Sequence, residues 1–344
     1  MISTRELAKL AGVSQATVSR CLNDRPGISA ETKELVRTLA KQHGYVVRNK
    51  NKRTICTNKR KAIGVLQMSH HAFDDHFIKQ LLSILYKTIE QENYYAIPLL
   101  DFCGEQGIQQ LKDLIKLELV EGFIIVNREY DAKVDEYFNQ IGIPHVYLIF
   151  FGRNSSEQVS LVDTDNYLGG YIASKHLLEL GHRHIVALSA PWDEFHDRLA
   201  GYQKALNEYQ APFEPSYILT CDDCRYEEGY RVVTENLALF EQATAVYGMC
   251  DVLALGALNA LKDHGFRIPE DISVIGYDCM PLARYTCPTI TSVEFPVEAV
   301  AKEVCEIVIQ RIQENDIHNT DFSSVKTIII EPKLVLGEST QSIF

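Results

Sequence analysis

Residues Ala11–Asp24 read AGVSQATVSRCLND, a stretch of small residues, one glycine, one serine and then a helical run. Gly12 supplies the positive φ that a sharp turn requires, and Ser14 is placed to cap a helix over Gln15 to about Leu22. Its inward positions are Ala16 or Thr17, Val18 and Leu22. Upstream, Ser3–Glu6 (STRE) has capping-box spacing, so a first helix starts there with Leu7, Ala8, Leu10 and Ala11 as its apolar face. Downstream, Asn23–Gly27 is dense in turn formers. Ser29 then caps a third helix with Leu35, Val36, Leu39 and Ala40 at core spacing, stopped by Gly44. Three short helices thus share one core, and a three-residue turn separates the first two.

Charge sharpens this reading. The chain has 344 residues and a formal net charge of −12. Residues 1–61 hold 14 Lys+Arg against 4 Asp+Glu; subtracting these from the totals of 34 and 46 leaves 20 basic and 42 acidic residues in the rest. A head of +10 therefore precedes a body of −22. Basic surface attracts a polyanion, because each cation that displaces a condensed counterion from DNA gains that ion's release entropy. Helix, turn, helix is also the arrangement that lays a second helix in the major groove. On that helix Gln15, Ser19 and Arg20 are the polar residues the core does not need. Glutamine can pair with adenine and arginine with guanine, each pair discriminating by about 1–3 kcal/mol.

Over Thr4–Tyr45 (TRELAKLAGVSQATVSRCLNDRPGISAETKELVRTLAKQHGY) the chain resembles the DNA-binding headpiece of the lactose-repressor (LacI/GalR) family. The resemblance implies that Gln15 and Ala16 occupy the specificity positions and Arg20 the shared base-contacting arginine. It places Thr4, Ser14, Thr17, Ser19 and Asn23 at the DNA surface. Cys21 stands where the family has valine, a swap of similar volume. Residues 46–61 (VVRNKNKRTICTNKRK) carry seven basic residues and read as a cationic connector. The family has there a hinge that wedges a leucine between base steps. Its PNxxARxL pattern is missing here, and Ile55 is the nearest apolar candidate.

Beyond Ala62, strand-like runs (AIGVLQM, YYAIPLL, GFIIV, HVYLIF) alternate with amphipathic helices. A second series begins near Val162 with HIVALS, YILT, TAVYGM and ISVIGYD. Repeated β-α-β-α implies parallel sheets covered on both faces. Neither series contains GxGxxG or a P-loop. The segments VDTDNYLGGYIASKHLLELGHRHIVAL, DRLAGYQKAL, DVLALGALNALKDHGFRIPEDISVIGYD and EPKLVLGES resemble the family's effector core. The implied fold is an all-α helix-turn-helix headpiece (1–45), a linker (46–61) and a two-lobed α/β periplasmic-binding-protein-like core (62–344). Chain crossings are expected near Val162, Ser292 and 320–326. Lobe 1 is then about 62–161 plus 293–322, and lobe 2 about 162–292 plus 323–344.

Ligands of such cores lie between the lobes, at the carboxyl ends of strands. By resemblance Arg198 is the effector clamp and Asp278 the hydroxyl acceptor, a sensible pair because a carboxylate accepts from hydroxyls and a guanidinium donates to oxygens. Phe77, Trp192 and Phe150 are candidate walls for a ring face; Phe77 and Phe150 read equally as core aromatics. Cys250 stands where the family has asparagine, and LIFF replaces an Asp-Arg pair. The effector, a carbohydrate or polyol by resemblance, is thus expected to be smaller, less hydroxylated or more apolar than a hexose.

The whole reads as a ligand-responsive transcription factor, a repressor, acting as a homodimer on a pseudo-palindromic operator. No cofactor, metal or catalytic residue is expected. The start MISTRELAKL lacks a signal's apolar run and nothing approaches a membrane span, so a cytoplasmic protein with reduced thiols is expected from its nine cysteines. Competing readings are a transport-type solute-binding protein, a thiol- or metal-responsive regulator built on Cys221–Cys224, and an enzyme using His70, His71, His76, Asp74 and Asp75.

Overall fold

The computed structural model describes residues 4–22, 28–42, 61–67, 76–100, 104–116, 119–127, 132–149, 159–315 and 325–344. They fall into two compact units that divide between Lys61 and Ala62.

In the first unit α1 (Thr4–Ala11), α2 (Gln15–Leu22) and α3 (Ala30–Gln42) enclose Leu7, Ala8, Ala11, Val18, Cys21, Val36 and Ala40. Gly12 has φ 63°, and the turn closes where Val13 N–H donates to the Ala8 carbonyl at 3.1 Å. Ser14 Oγ accepts the Thr17 amide at 3.0 Å and Ser29 Oγ the Thr32 amide at 3.2 Å, so both hydroxyls cap their helices. Leu10 and Leu35, expected inside, are about half exposed. At 100° per residue Leu10 lies 60° outside the arc from Leu7 to Ala8, and Leu35 lies 100° from Val36 and 140° from Ala40. Helices this short bury too narrow a stripe to include them.

In the second unit the elements follow as β1 (Ala62–Gln67), α4 (His76–Gln91), β2 (Tyr95–Leu100), α5 (Gly104–Lys116), β3 (Val120–Asn127), α6 (Ala132–Ile141), β4 (His145–Ile149) and β5 (Leu161–Thr164). Then come α7 (Asn166–Glu179), β6 (Ile185–Ser189), α8 (Asp193–Glu208), β7 (Ile218–Thr220), α9 (Tyr226–Glu235), α10 (Leu237–Phe240), β8 (Ala245–Gly248), α11 (Asp251–Asp263) and β9 (Ser273–Asp278). The chain ends with β10 (Thr291–Glu294), α12 (Val297–Asn315), β11 (Thr327–Ile330) and β12 (Lys333–Val335).

Two six-stranded sheets result, ordered β11-β5-β4-β3-β1-β2 and β12-β10-β9-β8-β6-β7. The first is parallel throughout; the second is parallel except for β12 against β10. The chain passes between sheets three times: after Thr164, after Glu294 and between Ile330 and Lys333. The last passage differs from the expected 320–326. The β-branched run Thr327–Ile330 continues the first sheet instead, pairing in parallel with Leu161–Thr164. Leu161–Thr164 likewise belongs to the first sheet, and α12 packs on it with Val300, Ala301, Val304 and Val308 in the cluster that holds Ile63, Val65 and Leu81.

Helix α8 starts at Asp193, so Arg198 lies inside the helix. Small residues bring α7 and α8 into backbone contact. A Cβ on Gly170 would lie 2.0 Å from the Arg198 carbonyl oxygen, and one on Gly201 would lie 2.1 Å from that of Tyr167.

Candidate functional site

The carboxyl ends of β5, β8 and β9 converge on one arginine. Arg198 is the only lysine or arginine that is buried among the described residues. Its Nε donates to Asn166 Oδ1 at 2.9 Å and its Nη1 to the Met249 carbonyl at 2.5 Å, while Nη2 faces Asp278 Oδ1 at 3.6 Å. The guanidinium carbon lies 3.6 Å from the Tyr277 ring centre and 5.1 Å from that of Phe195, two cation–π contacts in a buried setting. Burial works against the charge, but Asp278, then Tyr277, Tyr247 and Glu194, hold it more firmly protonated than an exposed arginine.

Acids dominate the rest of this wall. Asp163, Glu194, Asp251 and Asp278 are all buried. Burial pushes the Asp163 carboxyl well above the usual carboxylate range, against the pull of the Thr164 amide that donates to it at 2.7 Å. Asp251 opens α11 and binds back across the lobe, accepting the Met280 amide and the Ser292 hydroxyl, each at 2.6 Å. Burial raises its carboxyl to about 7. Those bonds hold the turn after β9, where Asp278 (φ 97°) and Cys279 (φ 52°) are both left-handed without being glycine. Such residues cost about 1–3 kcal/mol each and persist only where neighbours fix them. Here the turn presents the Asp278 carboxylate to Arg198.

Trp192 precedes α8, half-buried, with its ring centre 5.7 Å from that of Phe195. Cys250 precedes α11 and is buried, without a side-chain capping bond. Phe77 is buried in the first lobe, edge-on to Phe295 at 4.9 Å, and its cluster includes Met280. Phe150 lies outside the described residues, as do Asn23, Ile55, His70, His71, Asp74 and Asp75. Asn166, Phe195, Met249 and Tyr277 were not singled out from sequence. Asn166 lies within VDTDNY and Tyr277 beside Asp278, but their roles depend on where Arg198 points.

Two further buried polar groups stand out. Among the described residues neither amide atom of Gln67 has a hydrogen-bond partner, and the Tyr247 hydroxyl has none. Among these residues no group of three or more His, Cys, Asp and Glu could hold a metal ion, and no helix is long and apolar enough to cross a membrane.

On the first unit, Gln15 and Arg20 of α2 are exposed, while Val18 and Cys21 of the same helix are fully buried. Ser14 and Thr17 form the cap described above. Thr4, Ala16 and Ser19 are helical positions of α1 and α2.

Comparison with known proteins bears on both units. Residues 3–47 match the model of bacterial regulatory proteins of the lacI family, and residues 174–340 that of a periplasmic binding protein-like domain. The chain is 30% identical over 342 residues to the HTH-type transcriptional regulator CelR of Thermobifida fusca, covering 97% of this chain and 96% of that protein. It is 27% identical to the HTH-type transcriptional repressor PurR of Haemophilus influenzae (strain PittEE), covering 100% of both. A solved CelR–cellobiose complex superposes with a TM-score of 0.68 at 26% identity, covering 98% of this chain and 100% of that one.

Proposed function

Because the chain belongs to the lacI family of bacterial regulatory proteins, we propose that Arg198 and Asp278 form the centre of its effector site and that α2 reads its operator. The protein is a DNA-binding transcriptional repressor controlled by a small-molecule effector. Its effector is an uncharged, hydroxyl-bearing molecule, a small sugar or polyol. The observation that carries this is the state of Arg198: two of its nitrogens are already committed to Asn166 and Met249, and the third faces the Asp278 carboxylate. An arginine so committed has little left to offer a phosphate, whereas the Asp278 carboxylate accepts from hydroxyls and the half-buried Trp192 ring suits a sugar's apolar face. The CelR complex with cellobiose supports a sugar.

Effector binding acts by shifting lobe closure about the three inter-sheet passages, which changes operator affinity. Gln15 and Arg20 meet base edges, and a homodimer supplies the second half-site. The protein works in the cytoplasm and carries out no chemical step on its ligand.

The test has two arms on the full-length protein. Random-oligonucleotide selection is expected to yield a pseudo-palindromic site, with Arg20→Ala losing specific binding by tenfold or more while thermal stabilisation by effector persists. Thermal shift against D-glucose, D-ribose, cellobiose and glucose 6-phosphate is expected to favour a neutral sugar. Absence of any sequence preference, or a shift with the phosphate alone, would overturn the reading.

A further inference from the structure

After β12, residues 337–344 run across the amino edge of the second sheet, away from the arginine site. The Ser339 carbonyl accepts the Val274 amide at 2.8 Å and its hydroxyl accepts the Thr291 amide at 2.9 Å. Gln341 N–H donates to Ser273 Oγ at 3.1 Å, and Ile343 N–H to the Leu180 carbonyl at 3.0 Å. Two histidines, one in α7 and one in the turn after it, complete the hold. His182 Nε2 donates to the Gln341 carbonyl at 3.1 Å, so Nδ1, 3.0 Å from Thr244 Oγ1, accepts from that hydroxyl and the ring is neutral. His176 Nε2 lies 3.1 Å from Thr340 Oγ1. The segment hangs on β12, which the chain enters from the third passage between sheets, and it braces β10, from which the second passage leaves. These two strands pair with each other through Ser292–Val335, Val293–Leu334 and Glu294–Lys333.

We propose that residues 337–344 act as an acid-released clasp: neutral His176 and His182 hold the segment down, and protonation of the pair frees it together with the β10–β12 ladder, making lobe movement sensitive to pH. His182 is 1% exposed, so an added proton enters a buried site. The charges facing it, His176 and Arg183, are of like sign, and Glu179 is the carboxylate facing His176. Burial holds both rings below the usual imidazole range; for His182 the Gln341 carbonyl opposes this, while His176 and Arg183 add to it. The stability that the clasp supplies is therefore complete above the ordinary imidazole value of about 6.5 and is lost as pH falls through the lowered values. The inference is independent of which effector the protein takes.

The test is amide hydrogen exchange of the full-length protein at pH 7.5 and 5.0, each rate divided by the intrinsic exchange rate at that pH. Protection of peptides spanning residues 333–344 and 289–295 is expected to fall at least tenfold at pH 5.0, while peptides from β1 and β3 stay within twofold. In His182→Gln the new side chain offers an N–H to the Gln341 carbonyl and an oxygen to Thr244, and it does not titrate. Combined with His176→Gln, it is expected to keep protection of the segment level between the two pH values. Wild-type protection that does not change, or that falls equally across both sheets, overturns the inference. An equal fall in the double variant also overturns it, placing the titration elsewhere, for instance at Glu338, whose carboxylate accepts the Thr289 amide and hydroxyl at 3.3 Å. Should the double variant fail to fold, His176→Gln alone is expected to shrink the acid loss at least threefold, and an unchanged loss overturns the inference.

Discussion

Substituting Gly170 by alanine tests the claim that the site depends on backbone contact between α7 and α8. An added Cβ would lie 2.0 Å from the Arg198 carbonyl oxygen, and ordinary van der Waals contact begins at 3.4 Å. The difference of about 1.4 Å cannot be taken up by a side chain, because the obstacle is the backbone of the arginine itself. Helix α8 must move, and a shift of that size takes the 2.5 Å bond from Arg198 Nη1 to Met249 beyond hydrogen-bonding range. Overpacking costs about 1–3 kcal/mol, and the better helix propensity of alanine returns about 1 kcal/mol. A net loss of up to about 2 kcal/mol lowers Tm by up to a few degrees. Trp192, the chain's one tryptophan, immediately precedes α8 and packs on Phe195, so its emission reports the same displacement. The expected result is a lower Tm, altered tryptophan emission and at least tenfold weaker effector binding. A Tm within about 1 °C of wild type with unchanged emission would refute the close approach of these helices.

Two further predictions concern titratable groups. Burial raises Asp251 to about 7, so the folded state holds its proton more tightly than the unfolded chain. The resulting stability is fully present below the unfolded pKa of roughly 3.9 and is lost as pH rises through about 7. Between pH 5 and 8 wild type should therefore lose Tm relative to Asp251→Asn; parallel profiles would show that this carboxyl does not titrate there. Burial pushes the thiols of Cys221 and Cys305 up to about 12, leaving almost no thiolate at pH 8. Iodoacetamide is expected to label exposed Cys287 well before either, and mild oxidant to leave Cys221 and Cys224 unjoined. A Cys221–Cys224 disulfide found by mass spectrometry would revive the thiol-responsive reading.

The sequence by itself determined what neighbouring residues can encode. Helical periodicity with Ser14 and Ser29 as caps fixed α2 and α3, Gly12 fixed the turn between α1 and α2, and alternating apolar runs fixed two α/β series. Local patterns suffice there because a cap, a turn or an amphipathic face is satisfied within a few residues. They failed where burial depends on how many partners surround a helix, as at Leu10 and Leu35, and where an apolar run can join either sheet, as at Thr327–Ile330. Arg198 and Asp278 were legible only through family resemblance. Only the tertiary structure brought Asn166, Met249 and Tyr277 to that arginine across chain separations of 32, 51 and 79 residues, because parallel strands align their carboxyl ends irrespective of sequence distance. It alone distinguished Gln67, the last residue of an unremarkable apolar strand, as a buried amide with neither end met among the described residues. Whether a polar group is satisfied is a property of its surroundings, and those are set by the packing of both lobes.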